Sequence, residues 1–312
     1  VYKRQPATQT CEPRSTLVRF AHRLGILAAL VVALSAIALA AVLAGTSRRA
    51  KADPWRFDLG ARAMAFPGAR LEEPRSARVN GVELSFRSQA VEASLGDVLD
   101  HFRKVCVERP SSRSPLVETL SALATRTAIE EDHGYVACLS LDVADLPGLA
   151  ARVQRFARTG DLADLGVLRY AYAYRSSPDA ATTLLFTVWS EGSLPLASFL
   201  PRAGSDTAGE DLPGVPRPAS STRLLSFHEH AGPSRIAVYR SLHQAPADAA
   251  RVYRDQLTAD HWIPLRSWPA QPIQLEDTLV VAAERDAAML AAVAHADGHS
   301  GALITVLLSE AP

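Results

Sequence analysis

The chain has three cysteines in 312 residues, and none falls in a C-x-x-C or C-x-x-C-H pattern. Redox catalysis by a vicinal dithiol and covalent haem attachment therefore have no support. Neither G-x-x-x-x-G-K-[ST] nor G-x-G-x-x-G occurs, which removes the familiar phosphate cradles. Neither charge is in excess, with 33 Lys and Arg against 33 Asp and Glu. Glycine (17) and proline (20) are too few for a collagen-like or low-complexity chain, and 48% hydrophobic residues exclude intrinsic disorder. The length suffices for two ordinary domains with buried cores.

The neutral total conceals a split. Residues 1–51 carry eight Lys and Arg against Glu12 alone, a net +7, so the other 261 residues carry −7. A net-acidic body repels a phosphate backbone, which argues against nucleic acid as a partner.

Between Arg23 and Arg48, the run 24–45 contains no charged residue and is Ala, Leu, Val, Ile and Gly apart from Ser35. As a helix it would be about 33 Å long, the thickness of a bilayer's hydrocarbon core. The expectation is a basic cytoplasmic tail (1–23), an uncleaved signal-anchor transmembrane helix (24–45) and a tether (46–76). A cleaved signal peptide is the competitor, with small-x-small sites at Val42-Leu43-Ala44 and Ala50-Lys51-Ala52. Gly25, Ala29 and Ala33, and again Ala36, Ala40 and Ala44, repeat at four-residue spacing, a pattern that lets two such helices pair into a homodimer. This places the protein in a bacterial inner membrane as a single-pass chain with the lipid bilayer as partner and its body in the periplasm. In that oxidising setting a Cys106–Cys138 disulfide is expected, the alternative being two buried thiols, while Cys11 lies on the tail.

In the body, Val82, Leu84 and Phe86 alternate as a strand after an Asn80-Gly81 turn, and Val91 to Val105 recurs at helical spacing. A short helix is expected through 116–123, a strand over 135–141, and a helix over 146–156 with Asp145 as N-cap. Leu168 to Tyr174 and Thr183 to Trp189 read as a hairpin. Five prolines between 193 and 222 mark a connector. Beyond it come a strand at 236–239, a helix around Val252 and a meander near 278–284, 288–295 and 302–309. Phe86-Arg87-Ser88 is echoed by Tyr239-Arg240-Ser241, and Leu185-Phe186-Thr187-Val188 by Leu303-Ile304-Thr305-Val306, in the same order. The expected fold is α+β, with the transmembrane helix followed by two two-layer domains of mostly antiparallel sheet, 77–192 and 223–312, joined by the Pro-rich linker 193–222.

At Tyr239-Arg240-Ser241, Val252-Tyr253, Leu257 and His261-Trp262 the second unit resembles a recurrent small α+β module of bacterial envelope and lipoprotein sequences. Those modules carry Gly where His261 stands. The resemblance implies an envelope context and nothing catalytic.

The candidates for chemistry are few. His228 and His230 would share one face of a strand, as two zinc or copper ligands can, with His243, His295 or His299 as a third. Glu130-Glu131-Asp132 before His133 offers carboxylates for acid and base roles, against the alternative of a solvated loop. The stripe Tyr170, Tyr172, Tyr174 is half of a core or an aromatic binding face. Gly298-His299-Ser300-Gly301 misses the nucleophile-elbow spacing by one residue and reads as a turn. No catalytic constellation is complete, no cofactor is implied, and the metal reading rests on His228 and His230 alone. The expected function is a membrane-anchored, non-enzymatic binding or assembly module with an envelope protein as partner. Two alternatives are an exported hydrolase or metal enzyme using the His-rich second unit, and a sensor, which the short tail weakens.

Overall fold

In the computed structural model, residues 58–107, 119, 124–141, 143, 145–177, 179–200, 204–265, 273–275, 278–297 and 301–310 are described. Helix α1 (Asp58–Ala63) leads to β1 (Arg70–Leu71), β2 (Arg75–Val79) and β3 (Val82–Val91). Asn80 and Gly81, at φ 50° and 77°, turn β2 into β3 with the two left-handed residues that a tight hairpin requires. Then follow α2 (Leu95–Val107), β4 (Thr125–Ile129), β5 (His133–Leu141), α3 (Leu146–Thr159), β6 (Gly166–Tyr174), β7 (Thr183–Ser190) and α4 (Leu196–Phe199). The second half comprises β8 (Ser221–Glu229), β9 (Ser234–Leu242), α5 (Pro246–Ala259), β10 (Ile263–Pro264), β11 (Ile273–Leu275), β12 (Thr278–Arg285), β13 (Ala288–Ala296) and β14 (Gly301–Glu310).

Every pairing is antiparallel and all the strands belong to one sheet, in the order β10-β12-β13-β14-β9-β8-β2-β3-β7-β6-β5-β4, with β1 beside β3 and β11 beside β12. Outward from the centre, the first half runs β2-β3-β7-β6-β5 and the second β8-β9-β14-β13-β12, the same connectivity twice. The halves meet where β2 pairs with β8 through Ala77–Glu229, Arg78–His228 and Val79–Phe227.

Two expectations are corrected here. Separate two-layer domains are replaced by one continuous sheet, because β2, which straddles the expected boundary between tether (46–76) and first unit, pairs with β8 and bridges the halves. The transmembrane, single-pass and inner-membrane assignments, with the signal-anchor and the body in the periplasm, are not upheld: no helix among the described residues is long and apolar enough to cross a membrane. The longest, α3 and α5, have 14 residues, about 21 Å, and carry charged faces. The span expected at 24–45, the tail before it and Cys11 lie outside the described residues, as does the short helix through 116–123 apart from Thr119.

Alternate residues of a strand share a side, and paired residues point the same way. Trp189 pairs with Ser85, Ser85 with Ser76, Arg78 with His228 and Ser226 with Ala237, so these side chains mark one face from end to end. Both α2 and α5 cover it. Leu95, Val98, Leu99 and Phe102 of α2 pack on Val136, Ala171, Leu185 and Trp189. Ala250, Tyr253 and Leu257 of α5 pack with Trp262 on Tyr239, Ile304 and Val306. His261, just before Trp262, stands at φ 64°, a conformation glycine adopts freely.

Helix α3 has no counterpart in the second half, where Asp286 and Ala287 alone join β12 to β13. None of its residues is buried, so its ends matter more than its packing. Asp145 accepts the Gly148 N–H at 2.8 Å and Gly160, at φ 68°, closes the other end. Asp145→Ala removes that cap at a cost of about 1 kcal/mol, which amide exchange reads as roughly fivefold faster opening of 146–159.

Candidate functional site

The face opposite α2 and α5 is apolar from one half to the other. Its floor is Val79 of β2, Leu84 and Phe86 of β3, Phe186 and Val188 of β7, Tyr170 of β6, Leu225 and Phe227 of β8 and Ile236 of β9, all buried. Around them Tyr135, Ala137, Leu168, Tyr172, Val238 and Leu307 are only half-buried. A strap through Leu194 and Phe199 packs on the same cluster, held by Leu162 N–H donating to the Leu194 carbonyl at 2.9 Å and Leu196 N–H to Gly160 at 2.9 Å. From β5 to β14 this face crosses eight strands, about 34 Å at ordinary strand spacing.

Aromatic rings organise it. Phe86 lies 5.7 Å from Phe186 and 6.1 Å from Phe227, linking the halves, and Tyr135 stacks on Tyr170 at 6.0 Å. Arg75 sits 4.8 Å above the Phe86 ring and donates to Glu229 at 2.9 Å, so a cation–π contact and an ion pair cross the β2–β8 seam. Glu229 is 5% exposed, and Gly232 leaves it room: a Cβ there would lie 2.1 Å from its carboxylate. The Tyr170, Tyr172, Tyr174 stripe belongs to this face, with Tyr170 in the floor and the other two half-buried. Burial, then the charges of Asp132, Tyr174 and Glu130, push the Tyr172 phenol up, so it presents a neutral hydroxyl.

At one end stand Glu130, Asp132 and His133, in the hairpin between β4 and β5. His133 Nδ1 is 2.7 Å from Asp132 and its ring lies 6.1 Å from Tyr172, which joins this cluster to the tyrosine stripe. The hydrogen bond to His133 holds the Asp132 carboxyl below the usual carboxylate range. Glu130 and Glu131 are exposed and Asp132 is half-buried, and none has the buried setting that would set an acid apart from a base.

The histidines do not converge. His228 and His230 stack at 6.2 Å, and His230 Nε2 lies 3.2 Å from Glu83. Glu229 points to the opposite face, His243 occupies the turn after β9 at φ 62°, and His299 lies outside the described residues. His295 is on β13, and burial lowers its imidazole. Among the described residues no group of three or more His, Cys, Asp or Glu is placed to hold a metal. Asp297 and Gly301 bond to each other across the Gly298-His299-Ser300-Gly301 stretch as the ends of a hairpin turn do. Cys106 and Cys138 are joined as a disulfide that ties the end of α2 to β5.

Phe86 and Phe227, which make the floor continuous, and Arg75 and Glu229, which clamp it, are absent from the sequence-level candidates. The alternation at Val82, Leu84 and Phe86 carries a signal for the first; nothing local marks the second pair. Comparison with protein-family models, with curated proteins and with solved structures finds no match.

Proposed function

We propose that this chain is a non-enzymatic binding or assembly module whose partner-facing surface is the apolar, aromatic-lined face opposite α2 and α5. One observation carries this reading: the two long helices α2 and α5 cover one face of the sheet, while on the other, beyond the short strap through Leu194 and Phe199, Tyr135, Leu168, Tyr172, Val238 and Leu307 remain half-buried. Apolar surface of this extent, with aromatic side chains in it, marks an interaction site more often than plain solvent-facing sheet.

The test places a photo-crosslinking amino acid at Tyr172 or Val238 in the full chain, and at Lys104 or Arg251 on the helix side, followed by irradiation in cells. An adduct of defined mass at the first two positions, and not at the others, is the expected result. Leu307→Asp puts a charge in the surface and lowers that capture about tenfold while the protein stays folded. Equal capture at helix-side positions, or no loss with Leu307→Asp, overturns the reading.

A further inference from the structure

Four side chains stand as successive direct partners across the centre of the helix-bearing face: Glu83 of β3, Arg78 of β2, His228 of β8 and Arg235 of β9. The row crosses the β2–β8 ladder, whose three residue pairs are the strand pairing between the two halves. Glu83 is the acid of the row, and it is engaged by Arg78 Nε at 3.1 Å and His230 Nε2 at 3.2 Å. Arg235 reaches Glu310 at 3.8 Å. His228 thus has a cation as its direct partner on each side, His230 stacked on it at 6.2 Å, and Glu210 of the connector as the acid that acts on it.

We propose that the β2–β8 seam is an acid-sensitive joint, in which proton uptake by His228 between Arg78 and Arg235 weakens the ladder holding the two halves of the apolar face together. As a control on partner binding it rests on the reading of that face given above; the joint itself does not. Like charges directly opposite each other on neighbouring strands repel, and a protonated His228 makes three in line. Burial, followed by Arg235, His230 and Arg78, lowers the imidazole from its ordinary 6.5, with Glu210 opposing. The sign follows. The opened seam takes up the proton at higher pH than the closed one, so stability is full above about 6.5 and is lost as pH falls below it. One unit below 6.5, complete exclusion of the proton from the closed state corresponds to a factor of about ten in the opening equilibrium. Opening splits a floor that depends on Phe86 meeting Phe227 across β2, so acid loosens the surface at its centre.

Hydrogen–deuterium exchange of residues 75–79 and 227–229 in the full chain, at pH 7.5 and 5.5 and corrected for intrinsic rates, tests the joint. The wild type is expected to open up to about tenfold more at pH 5.5. His228→Gln removes that difference and His230→Gln retains most of it. The Arg75–Glu229 pair on the opposite face is common to all these variants. Should His228→Gln not fold, Arg235→Gln, which deletes one flanking cation, reduces the acid response. An unchanged response in His228→Gln, or none in the wild type, overturns the proposal. Crosslinking at Tyr172 at both pH values separates the two readings. Exchange that responds without any capture at either pH removes the binding surface and leaves the joint, and capture without an exchange response does the reverse.

Discussion

Replacing Arg223 by alanine lowers the free energy of unfolding by about 3 kcal/mol, measured as a shift of the urea midpoint at unchanged slope. The size follows from what this buried guanidinium holds. Its side chain is 8% exposed; Nη1 donates to Asp211 at 2.6 Å, and Nη2 donates to the carbonyls of Thr207 at 3.0 Å and Gly209 at 2.9 Å. Asp211 also accepts from the Tyr239 hydroxyl at 3.2 Å, and burial, followed by the Asp211 charge, pushes that phenol well up. Alongside, Arg217 grips Asp206 with two bonds of 2.6 Å, and Asp206 accepts the Arg223 N–H at 2.8 Å. Removing Arg223 leaves two carbonyls unpaired where the connector meets the sheet and takes from Asp211 its nearest cation, with the Tyr239 hydroxyl and Arg217 at 3.7 Å remaining. Breaking a buried pair costs about 3–5 kcal/mol, and the lower end applies because Asp211 is 39% exposed and water takes up part of the loss. Arg223→Lys keeps the charge but not the fork, so it recovers only part of the stability. A loss below about 1 kcal/mol for Arg223→Ala would mean that the connector is held by its packing instead.

The connector shows where sequence reasoning stops. Five prolines between 193 and 222 mark a segment without long helix or central strand, and that much is local. That residues 204–221 are bound to β8 through Arg223 depends on partners 12 to 17 residues away, which no pattern announces. The meander was legible because its strands alternate without interruption: 278–285, 288–296 and 301–310 fall within two residues of expectation. Helix α2 starts at Leu95, not Val91, because β3 continues through Val91 and Ser94 caps the helix by accepting the Asp97 N–H at 3.1 Å. Strand β2 straddles the expected boundary between tether and first unit at 76/77 and has no sequence signal of its own, because its five residues, Arg75 and Arg78 among them, offer only Ala77 and Val79 as an apolar pattern. That one strand turns two expected domains into one sheet. The candidate site followed the same division: the tyrosine alternation on β6 was visible, whereas the meeting of Phe86 with Phe227 requires β2 to be placed first.

Alanine at both Cys106 and Cys138 destabilises the protein by about 3–4 kcal/mol, by an argument independent of the sheet centre. The disulfide closes a loop between residues 32 apart, and in the chain-entropy account a loop of that length constrains the unfolded chain by about this amount. It also fastens the last turn of α2 to β5 inside the core formed by Leu99, Phe102, Val136 and Trp189, where both sulfurs are buried. Reductant reaches them only when α2 lifts, so the double variant is the cleaner measurement. Its thermal midpoint is expected about 5–10 °C below that of the wild type. Unfolded and refolded in strong reductant, the wild type should fall to the midpoint of the variant, because the loop constraint is then missing from both. Equal midpoints of wild type and variant without reductant would show that helix packing alone secures α2, and that the covalent tie adds nothing to the half of the sheet it spans.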